Sequence, residues 1–147
     1  MPRLSHLRFL TALTASTVLT ALIACGSTDP TDPFPAVTAT TDKASYTTAE
    51  PVVVTLTNTS GSEVEYSSCP ERWDHKTDAG YVRFEELQQC LVGSTPLAAG
   101  ASATLTYSFP DGQPAGTWRI PFPITNKDGN ALGEARTADF EIVEQAD

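Results

Sequence analysis

Hydrophobic and polar positions alternate with a period of two in several short runs between residues 37 and 144, and turn residues separate the runs. Residues 101–109 show it most clearly. Ala103, Leu105, Tyr107 and Phe109 fall on one face, and Ser102, Thr104, Thr106 and Ser108 on the other. Residues 52–58 place Val52, Val54, Leu56 and Asn58 together and run into the turn Asn58-Thr59-Ser60-Gly61. Further strands are predicted over residues 37–41, over 63–67 around Val64, and over 81–85 after a Thr-Asp-Ala-Gly turn. In residues 116–122, Trp118, Ile120 and Phe122 keep step opposite Thr117 and Arg119, and Pro121 and Pro123 require this strand to break or to lie at an edge. Residues 137–144 turn Phe140 and Ile142 inward against Asp139 and Glu141. The stretch from Ser68 to Gly80 fits no period and is expected to be a long irregular connection. About seven short strands with Gly, Pro, Asn and Asp between them predict an all-β fold, an antiparallel β-sandwich.

The amino-terminal part has another pattern. Arg3, His6 and Arg8 precede an uncharged run over residues 9–23, which has the length of a secretory h-region and falls short of the ~20 residues of a membrane-spanning helix. The run ends in Leu22-Ile23-Ala24-Cys25-Gly26, which resembles the lipobox of bacterial lipoproteins. That resemblance implies acylation of the Cys25 sulfur and cleavage after Ala24, and two or three acyl chains anchor far better than one. Residues 1–24 are then a lipoprotein signal peptide and residues 25–36 a lipidated cysteine with a tether, in which Pro30, Pro33 and Pro35 keep the chain extended. Residues 37–147 are the sandwich. The expected location is the cell membrane or outer membrane, lipid-anchored and facing an extracytoplasmic compartment.

Charge and cysteines change meaning once the leader is set aside. The whole chain carries −9; without Arg3 and Arg8, seven basic residues face eighteen acidic ones, a net of −11. So negative a surface repels phosphate backbones and argues against a nucleic-acid partner. Of the three cysteines, lipidation removes Cys25, and Cys69 and Cys90 remain as an even pair in an oxidising compartment, where a structural disulfide is expected. Closing that loop of roughly twenty residues would contribute about 3 kcal/mol.

Residues 42–52, Asp-Lys-Ala-Ser-Tyr-Thr-Thr-Ala-Glu-Pro-Val, followed by Leu56-Thr57-Asn58-Thr59-Ser60-Gly61, are similar to the opening of bacterial immunoglobulin-like domains. Leu97-Ala98-Ala99-Gly100 and Pro114-Ala115-Gly116-Thr117-Trp118-Arg119 look like the later turn and penultimate strand of the same kind of domain. Over residues 42–143 the layout most resembles the BsuPI-type proteinase inhibitor sandwiches and their exported relatives. The resemblance implies an immunoglobulin-like sandwich, and it makes proteinase inhibition through an exposed loop, such as residues 70–80, the alternative function.

Candidate chemistry is sparse. Arg72, Trp73 and His75 lie inside the loop that Cys69 and Cys90 would close, where they either form a binding surface or leave Trp73 as a lid on the core. His75 is the one histidine after the leader, and neither a nucleophile triad nor a zinc ligand set surrounds it in sequence, so no catalytic residue, metal or cofactor is expected. Asn126, Asp128 and Asn130 faintly suggest a calcium loop without its acidic terminal ligand, and a hairpin turn joining the last two strands fits better. Asn58-Thr59-Ser60 matches a glycosylation sequon that has no meaning in a bacterial lipoprotein. The expected function is that of a non-enzymatic cell-envelope lipoprotein. Its sandwich is a binding or structural module for a protein or glycan of the envelope.

Overall fold

The computed structural model describes residues 34–69, 72–85 and 93–145. Every regular element in them is a strand. In chain order these are β1 (Val37–Thr41), β2 (Ser45–Thr47), β3 (Val52–Asn58), β4 (Val64–Ser67), β5 (Arg72–Thr77), β6 (Gly80–Glu85), β7 (Ser94–Leu97), β8 (Ser102–Tyr107), β9 (Gly116–Arg119), β10 (Pro121–Thr125), β11 (Ala131–Arg136) and β12 (Phe140–Val143). The chain is therefore all-β, as its alternation predicts.

The first layer is the antiparallel sheet β1-β3-β8. Its inner face carries Val37 and Ala39, then Val52, Val54 and Leu56, all buried. The second layer has two halves, β11-β10-β4-β7 and β2-β12-β9-β5-β6. The halves are continuous through the chain: β4 leads into β5, β9 into β10, and β11 into β12. Strand β10 pairs with β4 and β11, while β9 pairs with β5 and β12. Residues 116–125 thus form one long strand passed from one half to the other, with Trp118, Ile120, Phe122 and Ile124 inward and fully buried. The prolines act where the sequence places them. Strand β4 meets β10 only at Ile124 and Thr125, so Pro121 and Pro123 lie where β10 has a neighbour on one side alone.

Two expectations are corrected. Residues 68–80 are not one irregular connection, because residues 72–77 form β5 and pair over their whole length with β6. The turn at Lys127-Asp128-Gly129-Asn130 is a hairpin turn, but it joins β10 to β11, and β12 follows. The Asn126 side-chain oxygen accepts from the backbone N–H of Asp128 (3.0 Å) and of Asn130 (2.9 Å), which closes that turn locally.

The turn motifs of the opening segment prove to be hydrogen-bonding devices. Glu50 accepts from the Thr47 N–H (2.8 Å) and from Lys43 Nζ (2.9 Å); the backbone bond foremost holds its carboxyl below the usual range. The Tyr46 hydroxyl donates to Asp42 and accepts from the Lys43 N–H, and burial above all pushes its pKa up. Asn58 is wholly buried; its amide donates to the carbonyls of Ser62 (2.8 Å), Leu97 (2.9 Å) and Ala98 (3.1 Å), and its oxygen accepts from Ser60. A buried amide so engaged ties two loops together and is closed to modification as a sequon.

Candidate functional site

Strand β5 reads Arg-Trp-Asp-His-Lys-Thr, and the strand period of two divides it. Arg72, Asp74 and Lys76 face outward. Trp73 and His75 face the core.

On the outer face, Asp74 accepts from Arg72 Nε on Oδ1 (3.2 Å) and from Arg119 Nε on Oδ2 (3.1 Å). Glu134 of β11 accepts from Arg72 Nη2 (2.9 Å) and from Arg136 Nη2 (2.9 Å). Arg72 therefore joins the two carboxylates into one chain that links β5, β9 and β11. The carboxylates are 5% and 2% exposed, so leaving either unpaired would carry a heavy desolvation cost. Three guanidinium groups on two carboxylates leave the cluster one positive charge in excess. Among the described residues no buried side-chain polar atom lacks a partner. The arrangement is a clasp across the second layer.

Next to it, Tyr81 of β6 lies across the sheet with its ring 3.5 Å from the Arg119 Cζ, and its hydroxyl donates to Asp139. Asp139 also accepts from Lys76 Nζ (2.9 Å). The Tyr81 bond, then the Lys76 bond, hold the Asp139 carboxyl below its ordinary range. The same bonds raise the Tyr81 hydroxyl and the Lys76 ammonium.

The inner face is aromatic. Trp73 is fully buried, with Phe109, Phe140 and Tyr107 edge-on at 5.8, 6.2 and 6.5 Å. His75 stacks on Trp118 at 4.4 Å and meets the edge of Phe84 at 6.0 Å. Gly116, at φ +138°, makes room for it: a Cβ there would lie 2.8 Å from His75 Nε2. Elsewhere, an open, largely apolar groove of about 400 Å³ runs between β1 and β11, lined in part by Phe34, Val37, Ala39, Ala135 and Arg136.

The structure thus separates the residues that the sequence put together. Arg72 belongs to the ionic clasp. Trp73 is a core residue and not an exposed anchor, the second of the two readings that the sequence leaves open. His75 is half-buried against Trp118 on the side of the sheet opposite Arg72. Cys69 follows β4, half-buried, with its carbonyl accepting from Ser67 Oγ (2.8 Å). Cys90 and Cys25, and with them the leader and residues 25–33, lie outside the described residues. Among the described residues no group of three or more His, Cys, Asp or Glu is placed to hold a metal. Sequence reasoning missed the clasp, although a signal for it existed. Arg72 with Asp74, and Glu134 with Arg136, are opposite charges two residues apart, and on a strand such residues share a face.

No protein-family model matches the chain. No curated protein matches it either. Among solved structures it is similar to the ASH/PapD-like domain 7 of human CEP192, at 14% identity and a TM-score of 0.39, covering 90% of this chain and 100% of that one. It is also similar to the Pseudomonas fluorescens alkylpurine DNA glycosylase AlkC bound to DNA containing an abasic site analogue. There the identity is 17% and the TM-score 0.34, with 74% of this chain and 30% of that one covered. A Northeast Structural Genomics Consortium target, SoR45, is similar at 12% identity and a TM-score of 0.39, covering 74% of this chain and 83% of that one.

Proposed function

We propose that the protein is a lipid-anchored lipoprotein of the bacterial cell envelope, whose immunoglobulin-like sandwich serves as a binding or structural module. The observation that carries this reading is the stretch Leu22-Ile23-Ala24-Cys25, set between an apolar run and a proline-rich segment. The ionic clasp and the aromatic core suit a rigid module carried on a lipid anchor. A disulfide between Cys69 and Cys90 belongs to the same proposal, and the even pair left once Cys25 is acylated supports it. The runner-up reading is a proteinase inhibitor acting through an exposed loop, and because residues 72–77 are strand β5, that loop lies outside them.

Mass spectrometry of the protein purified from its host tests the anchor: the expected chain begins at Cys25 and carries acyl mass. An unmodified Cys25, or a Cys25→Ser variant that stays with the membrane fraction, would overturn it. Peptide mapping without reduction tests the disulfide, and free thiols at both Cys69 and Cys90 would remove it.

A further inference from the structure

The outer face of the first layer differs from the rest of the surface. Cross-strand register aligns Thr38 with Thr57 and Ser102, and Thr40 with Thr55 and Thr104. Val53 and Thr106 form a third row beside them. All eight positions are uncharged, and each is exposed or half-buried. In a mature chain of net charge −11, none of these eight positions is ionisable, and the nearest acid, Asp42, stands one residue beyond β1 with its N–H on the Val53 carbonyl (3.1 Å). The acids Asp42, Glu63, Asp78, Asp111 and Asp128 sit at turns and strand ends, all exposed, and the outer face of the second layer carries charges of both signs. Strand propensity alone explains threonine on an exposed sheet. It does not explain why lysine and glutamate, which commonly keep open sheets soluble, are missing from all eight positions.

The chain path supplies the second observation. Described structure begins at Phe34, whose N–H bonds the Glu134 carbonyl (2.8 Å), and three residues later the chain becomes β1, an edge strand of this layer. Eight residues separate Cys25 from Phe34, and at full extension the nine steps between them span no more than about 30 Å. On so short a lead the near side of the domain comes within reach of a Debye length, about 8 Å, of the surface that holds it, where charge is still felt.

We propose that the Ser/Thr face of β1-β3-β8 is the face this domain turns toward an anionic phospholipid bilayer. The inference rests on the anchored-lipoprotein reading. Each acid brought against an anionic surface costs about fivefold in population, so orientations that present the acidic turns are depleted and the uncharged face is left nearest the headgroups. Hydroxyls can exchange bonds with water and with lipid phosphate oxygens without gripping the membrane as a basic face would.

The experiment uses the lipidated, isotope-labelled protein in nanodiscs that carry a gadolinium-chelate headgroup. One set contains mixed zwitterionic and anionic phospholipid, the other zwitterionic lipid alone. In the anionic discs the amides of Thr40, Thr55 and Thr104 should broaden several-fold more than those of Tyr81 and Arg83 on β6. High salt or zwitterionic discs should shrink the contrast. Thr40→Glu and Thr104→Glu, both at exposed positions, should each reduce it about fivefold. Uniform broadening, or stronger broadening of β6, overturns the proposal from the wild-type map alone, whether or not the variants fold. Protein that does not associate with discs at all defeats the anchor itself, and the orientation falls with it. Protein that associates without a contrast defeats only the orientation.

Discussion

The two faces of β5 use opposite means to the same end. Inward, Trp73 is held by aromatic edges and by exclusion from water. Outward, Asp74 is held by two guanidinium groups, and the arginines that bury it stay partly in solvent. Dispersion and hydrophobic burial are nondirectional and reward any ring that fits, whereas the ionic face depends on each partner being present. The strand therefore has one face that should tolerate a change of chemistry at constant shape, and another that should tolerate a change of shape poorly and the loss of a charge worse. Removing single side chains from each face is the way to break this contrast.

The largest loss is expected at Trp73. Trp73→Ala should destabilise by about 3–5 kcal/mol in urea unfolding, since it leaves a void among Phe109, Phe140 and Tyr107. Trp73→Phe should recover much of this. Equal losses for the two would show that shape-filling is not what the inner face supplies.

Asp74→Ala comes next, at about 3 kcal/mol, because it strands Arg72 Nε and Arg119 Nε on a largely buried patch. A double-mutant cycle between Asp74→Ala and Arg119→Ala should return a coupling of about 1 kcal/mol or more. Additive losses would mean that the clasp is a set of adjacent groups without mutual support.

Gly116→Ala sharpens the inner face at one atom. The added Cβ would meet His75 Nε2 at 2.8 Å and would force alanine to φ +138°, for a loss of about 1–3 kcal/mol. In a His75→Ala background the backbone strain remains while the clash is gone, so the loss should shrink without vanishing. An undiminished loss would show that the histidine yields freely.

The same contrast explains what the sequence could reveal. Strands β1 and β3 were readable to the residue, and β8 within two, because most of their inner positions are aliphatic or aromatic and their outer positions Ser, Thr or Val. Strand β5 was hidden because only one of its six residues is conventionally apolar and its outer face buries an ion, which no hydropathy period registers. Strand β11 was hidden for a related reason: Gly133 and Glu134 are both buried there. Pro96 masked β7, and three-residue β2 owes its place to a parallel partner almost a hundred residues away. Of the two readings that the sequence leaves open for Arg72, Trp73 and His75, the structure has the one with Trp73 in the core, and the strand period sends its neighbours to the opposite side. Asn58 succeeded in part. Its place on the apolar face was legible, but two of the three carbonyls it serves, those of Leu97 and Ala98, come from a turn distant in sequence.

The smallest effect separates the faces by pH, because it comes from titrating groups on the outer face around Asp139. Asp139 has a folded pKa lowered from 3.8, first by the Tyr81 hydroxyl and then by Lys76. Its contribution is therefore present above that ordinary value and is lost as pH falls through the folded one. Tyr81 and Lys76 are raised from 10.0 and 10.5, both chiefly by Asp139, so their contributions are complete below those values and are lost as pH rises through the folded ones. The difference in urea midpoint between the wild type and Asp139→Asn should then be flat between roughly pH 5 and 9 and shrink at both extremes. Tyr81→Phe should soften both limbs without removing either, because Lys76 still holds the carboxylate on the acid side and still titrates on the alkaline side. Trp73→Phe should show neither limb. A difference for Asp139→Asn that grows toward acid would reverse the sign of the argument and place the stabilising proton on the carboxylate instead of on its partners.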